Sequence, residues 1–178
     1  MVDLALLQSV SYIAGALGVC AAALYYSVNL KETTRNRRIT LTNNLMQNFT
    51  SEEGIKRYNE LTSMTWTNFD DFIRQYDSTV NRDNWMKRTI YWNACEVLGL
   101  QYKSKLIDFE TLFAVCNTLV PSIWVKFKPV IEEYRIRGVI PEHMYENFEF
   151  LADEINRIMG ERNPLFNASS TYLRSPTK

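Results

Sequence analysis

Residues 4–30 read LALLQSVSYIAGALGVCAAALYYSVNL, twenty-seven consecutive positions without Asp, Glu, Lys, Arg or His, of which 20 are hydrophobic. At about 1.5 Å per residue the run is roughly 40 Å long as a helix, against a bilayer hydrocarbon core of about 30 Å. Tyr12 near one end and Tyr25 and Tyr26 near the other suit the two interfaces. A cleaved leader would want a basic start and a short apolar centre. Here the chain begins Met1-Val2-Asp3 and the run is too long, although Ala21-Ala22-Ala23 is an acceptable cleavage site. A lipoprotein cysteine wants a small residue before it, and Val19 precedes Cys20. A soluble core helix rarely runs so far without a charged face. The reading is a single membrane span.

Flanking charge gives this span a direction. Lys31, Arg35, Arg37 and Arg38 follow it with only Glu32 against them, while Asp3 precedes it. Excess Lys and Arg mark the cytoplasmic side, so the N-terminus is expected outside and residues 31–178 inside. Arg35, Arg37 and Arg38 are expected at lipid head groups, where each gains about 1 kcal/mol near an anionic surface. Within the span Ala14, Gly18 and Ala22 recur every fourth residue. Small residues at that spacing let two helix backbones approach, so the stripe is the expected packing face toward a second copy or another membrane subunit.

Beyond the span the scarcity of Gly (6) and Pro (5) leaves too few chain reversals for a sandwich or barrel, and helical period dominates. The expected fold class is all-α: one transmembrane helix, then a compact bundle of about five to six helices. The division predicted is 1–30 span, 31–49 basic juxtamembrane helix, 50–160 cytoplasmic helical domain, and 161–178 a disordered or docking tail. Ser51 with Glu52 and Glu53 starts a helix through Ile55, Tyr58 and Leu61, and Thr67 or Asn68 starts another with Asp70 and Asp71 in its first turn. A run from Asn81 carries Trp85, Met86, Ile90, Trp92, Ala94, Val97 and Leu98 inward to a cap at Gly99. Asp108 caps a helix through Leu119. Pro121 opens one that Pro129 should kink or break and Gly138 closes, and Pro141 opens the last, ending at Gly160.

The chemistry-bearing residues return mostly negatives. Phosphate-binding glycine loops, the G-x-S-x-G elbow and the H-E-x-x-H zinc pattern are missing from the sequence. His143 is the sole histidine, and a lone histidine without an orienting pair makes a poor base. Cys20, Cys95 and Cys116 form no C-x-x-C pair and read as reduced, packed thiols. No cofactor and no metal is therefore expected, and zero net charge argues against nucleic acid as a partner. Glu142, Glu146 and Glu149 at spacing four and three, and Trp66 in a polar stretch, are the candidate contacts for a protein partner. Asp153 and Arg157 have the spacing of an i, i+4 ion pair.

The uncharged leader, the NRR segment, Trp66–Tyr76 (WTNFDDFIRQY), the turn Leu98-Gly99-Leu100, Trp124–Tyr134 (WVKFKPVIEEY) and Phe148–Ala152 (FEFLA) together resemble a family of small archaeal and bacterial proteins. Each member has a single membrane helix and a helical cytoplasmic domain of unknown function. The resemblance covers roughly Leu4 to Arg162, implies that architecture, and brings no catalytic residues. The function expected is a non-enzymatic, membrane-anchored interaction module at the cytoplasmic face. The alternative is an accessory subunit of a larger membrane enzyme complex, held through its span.

Overall fold

The computed structural model describes residues 4–163, whose regular elements are all helices: α1 Leu4–Thr50, α2 Glu52–Ser63, α3 Phe69–Tyr76, α4 Arg82–Lys103, α5 Phe109–Cys116, α6 Leu119–Ile136 and α7 Glu146–Arg162. Packing divides the chain into two units between Leu41 and Thr42. The first is α1 as far as Leu41, its apolar length followed by the basic stretch 31–38. The second holds the end of α1 and the other six helices, so the all-α class is as expected.

Four helix starts follow local side-chain chemistry. Backbone N–H groups one turn on donate to Ser51 Oγ (from Gly54, 3.1 Å), Asn68 Oδ1 (from Asp71, 2.9 Å), Asn81 Oδ1 (from Asn84, 3.1 Å) and Asp108 Oδ1 (from Thr111, 2.9 Å). Each satisfies a donor that the helix itself leaves orphaned. The start of α7 is different. Tyr145 stands before it at φ 68°, in the left-handed region, and supplies no side-chain cap. Glu96 of α4 does so instead, accepting from Asn147 Nδ2 and from the Phe148 N–H, both at 2.8 Å. Pro141–Met144 therefore form a turn before the helix, not its first turn as the proline suggested.

In the second unit α4 and α6 are the spine. Helices α2, α3 and α7 each lie against both, and α5 lies against α6. The shared core is strongly aromatic: Trp124 meets Phe148 edge-on at 4.9 Å, and Trp92 meets Phe127 at 5.3 Å and Tyr145 at 5.5 Å. Phe49, at the end of α1, packs on Tyr91 at 5.3 Å, and Met46 is buried one turn earlier while Ile39 is exposed.

Several sequence expectations need correction. α4 does not stop at Gly99 but runs to Lys103, with Gly99 buried in its interior. A Cβ there would overlap the backbone of Asn147, whose carbonyl carbon lies 2.7 Å away, so this glycine serves close approach of α4 and α7. α7 likewise passes through Gly160 to Arg162. Only Gly138, at φ +66°, closes a helix. α5 ends at Cys116, and Leu119 belongs to α6, where Pro121 is the third residue. Any place in the first turn suits a proline, because those N–H groups have no helical acceptor. α6 continues through Pro129, held by the burial of Phe127, Val130, Ile131 and Tyr134 around it. Trp85, Met86, Ile90 and Val97 face outward on α4, and Ile55 on α2. Of the tail expected from Glu161, residues 161 and 162 close α7, and 164–178 lie outside the described residues, as does Asp3.

Candidate functional site

The apolar length of α1 is the most distinctive surface of the chain. It is long and apolar enough to cross a membrane, with an 18-residue window of mean hydropathy 1.6, none of it buried. Leu4, Leu7, Val10, Ile13, Leu17, Val19, Leu24 and Val28 all stand exposed. Its serine hydroxyls are satisfied from within: Ser9, Ser11 and Ser27 donate to the carbonyls of Ala5, Leu7 and Ala23 at 2.8–2.9 Å, and Gln8 Nε2 donates to Tyr12 Oη at 3.2 Å. Such pairing lowers the cost of placing these groups in hydrocarbon. Ala14, Gly18 and Ala22 are exposed along this length, and a Cβ at Gly18 would meet nothing within 4 Å. Arg35 and Arg37 are exposed further along the same helix. Arg38 lies on it too, but its side chain is outside the described residues.

The structure does not bring the candidate partner contacts together. Trp66 is half-buried and belongs to the core: its indole stacks on Phe127 at 5.3 Å and meets Phe72 edge-on at 5.1 Å, while the Lys126 ammonium lies 5.1 Å over it. It closes the module's own aromatic cluster instead of standing free as a contact. Glu149 is committed internally, to Arg135 at 3.0 Å and Lys128 at 3.5 Å. Glu142 sits in the turn before α7, so it does not continue the helical face of Glu146 and Glu149. Glu142 and Glu146 are exposed and make no ion pair among the described residues. His143 is exposed in the same turn. Arg157 pairs with Glu154 and Glu161, not with Asp153.

A residue that sequence reasoning passed over is Arg88, 1 % exposed in the middle of α4. Its guanidinium donates to the Tyr76 carbonyl at 2.8 Å, to Asn84 Oδ1 at 3.1 Å and to Tyr134 Oη at 3.4 Å. It also lies over the Phe72 ring at 4.7 Å and the Trp92 ring at 5.7 Å. Burial pulls its pKa down, partly offset by the Tyr134 hydroxyl and the Asp77 carboxylate. Arginine stays charged regardless, so this is a buried cation held by carbonyl, amide and aromatic faces. The sequence carries one trace of it: Arg88 stands one turn before Trp92 and two before Cys95, on the inward face.

The two cysteines of the second unit are buried thiols. Burial pushes Cys116 up to about 12 and raises Cys95 well above its ordinary value. Neither is a nucleophile at neutral pH. Among the described residues no group of three or more His, Cys, Asp and Glu is placed to hold a metal ion. Two shallow hollows along α1, at Leu30–Arg35 and Thr33–Thr40, are walled by that one helix.

Comparison with known proteins gives one match. A family model described as a domain of unknown function (DUF4760) fits residues 12–155, which is 144 of the chain's 178 residues. No curated protein and no solved structure matches.

Proposed function

On the premise that the chain belongs to the DUF4760 family, we propose that it is a membrane-anchored helical interaction module, non-enzymatic, with its N-terminus outside and the helical domain at the cytoplasmic face. The observation that carries the reading is the contrast between its two units. The second closes an aromatic core of its own, whereas the apolar length of α1 buries nothing and satisfies its own serine hydroxyls. An uncovered surface of that size in water marks a membrane or a partner. The family match supports treating the helix as part of the domain, since it begins at residue 12, inside the apolar run. Lys31, Arg35, Arg37 and Arg38 support the orientation.

Fractionation of cells expressing the full chain tests this. The chain is expected in the membrane pellet after alkaline carbonate washing, and its C-terminal domain is expected to resist protease added to intact spheroplasts. Release by carbonate would overturn the anchor, and digestion in intact spheroplasts would overturn the orientation. A second reading, an accessory subunit packed through its span, is favoured by the open stripe Ala14, Gly18 and Ala22. On that reading Gly18→Leu separates the chain from its complex in mild detergent, while an unchanged complex size rejects it.

A further inference from the structure

The basic stretch of α1 is not basic on all sides. A helix turns about 100° per residue, which puts Lys31 and Arg35 on one face with Leu17, Leu24 and Val28, inside an arc of roughly 60°. On the same wheel Arg37 stands about 150° from the middle of that arc and Gly18 about 110°. All seven residues are exposed. Among the described residues neither Lys31 nor Arg35 makes an ion pair, whereas most cations of the second unit do, Arg135 with Glu149 and Arg137 with Asp70 among them. Glu32, the one acid within residues 27–39, is set about 100° round the helix from Lys31. Two like charges one turn apart repel, so the helix itself gains nothing from the pair. The hollow between them is lined by Leu30, Lys31, Thr34 and Arg35, and Thr34 turns its hydroxyl proton to the Leu30 carbonyl at 2.8 Å. The two cations are left as its outward donors.

We propose that this face holds one anionic phospholipid of the cytoplasmic leaflet, with Lys31 and Arg35 on its phosphate and an acyl chain along Val28, Leu24 and Leu17. The lengths agree. Lys31 and Arg35 are about 6 Å apart along the axis, a gap that two long side chains close on a single phosphate. Leu17 to Val28 covers about 16 Å, close to one leaflet of a hydrocarbon core about 30 Å thick. The aliphatic stripe therefore ends at the depth where head groups begin, and the cations begin there. Charge complementarity selects the head group. A zwitterionic lipid brings its own ammonium to the phosphate, while an anionic one leaves that charge for the protein to meet. Arginine meets a phosphate through two parallel N–H groups and lysine meets it as a point charge, so the pair supplies both direction and attraction.

This inference rests on the membrane-anchor reading and deepens it by naming the lipid and the side of the helix that takes it. The lipid face lies clear of the stripe Ala14, Gly18 and Ala22, so a lipid on one side leaves the other open to a second helix. Arg37, on the far side, belongs to the general attraction of a basic segment to an anionic surface and not to this lipid.

The test uses the full chain, purified in mild detergent and equilibrated with mixed micelles holding equal amounts of phosphatidylglycerol and phosphatidylcholine. Lipid retained through gel filtration is then quantified by mass spectrometry. Phosphatidylglycerol is expected at about one per chain and at least fivefold over phosphatidylcholine. Lys31→Gln combined with Arg35→Gln should bring that ratio down to about one, with an unchanged far-ultraviolet circular dichroism spectrum. Arg37→Gln removes the same kind of charge from the far side and should leave most of the preference in place. Equal retention of the two lipids by the parent chain overturns the proposal. So does a loss in Arg37→Gln as large as in the double variant, which would mean diffuse attraction without a face. Displacement by glycerol 3-phosphate, a head group without chains, would show a site for a free anion and overturn the lipid assignment. Carbonate washing of parent membranes keeps the two readings apart: a pelleted chain with no lipid preference fails this inference alone, and a chain released by the wash that still prefers phosphatidylglycerol fails the anchor alone.

Discussion

Arg88 shows how a single charged side chain is made tolerable inside an aromatic core. Its three hydrogen-bond acceptors are a backbone carbonyl, an amide and a phenol, and two rings cover its plane. Replacing it by methionine removes a desolvated charge but orphans the Tyr76 carbonyl, a net loss of about 1–3 kcal/mol. Arg88→Ala also opens a cavity and should lose roughly 3–5 kcal/mol. Urea unfolding followed by tryptophan fluorescence measures both, and equal losses would show that the hydrogen bonds dominate and the packing contributes little. Asp71 is the opposite case, half-buried and held by local bonds alone. The Thr67 N–H, the Thr67 hydroxyl and Arg74 donate to it, and the Thr67 backbone bond is the main reason its pKa falls from 3.8 to about 2. A folded pKa below the unfolded one means its contribution is whole above about pH 4 and disappears as the pH falls toward 2. In Asp71→Asn, thermal midpoints recorded across pH 4 to 2 should therefore fall less steeply than in the parent chain.

At the scale of the element, three glycines that look alike in sequence do different work. Gly160 has open space around its Cβ and lies within α7, so Gly160→Ala should stabilise by about 0.5–1 kcal/mol. Gly138 also has open space, but at φ +66° an alanine there should cost about 1–2 kcal/mol. Gly99→Ala drives a methyl into the Asn147 backbone and should cost about 1–3 kcal/mol or break the α4–α7 contact. The midpoints should rank Gly160→Ala above the parent, then Gly138→Ala, then Gly99→Ala, and any other order tells against these assignments. The same three positions mark where the sequence was legible. A left-handed cap follows from local chemistry, as do the starts at Ser51, Asn68, Asn81 and Asp108. Close approach depends on which helix lies opposite, and no local pattern specifies that. The period of α4 misled for a related reason: it is apolar on two sides, and spacing alone does not say which side meets the core.

For the whole molecule, the division into an apolar helix and an all-helical module was legible because both rest on long-range composition: an uncharged run of 27 residues, then amphipathic segments punctuated by caps. The candidate contacts were not. Trp66 sits among polar neighbours in the sequence and Glu149 at the spacing of a charged helical face, yet tertiary packing gives them Phe127 and Arg135 as partners. Core closure also ties distant thiols together. Cys95 on α4 and Cys116 on α5 are fully buried in one cluster with Trp92 and Trp124. At pH 8 neither should react with an aromatic disulfide reagent in the folded chain. In rising urea their labelling should share one midpoint with the tryptophan fluorescence, and earlier labelling would show that α5 opens independently.

Glu96, finally, supplies the start of α7 from 52 residues earlier in the chain. The four locally capped helices hold their capping acceptors within their own sequence. In α7 the Glu146 N–H finds the His143 carbonyl locally, but the Phe148 N–H finds its acceptor only on α4. The side-chain cap of α7 is thereby a tertiary contact, available only once α4 and α7 have met. Until the two helices meet, Phe148, Leu151 and Ile155 lie outside the core, an exposed apolar surface of the kind that invites aggregation.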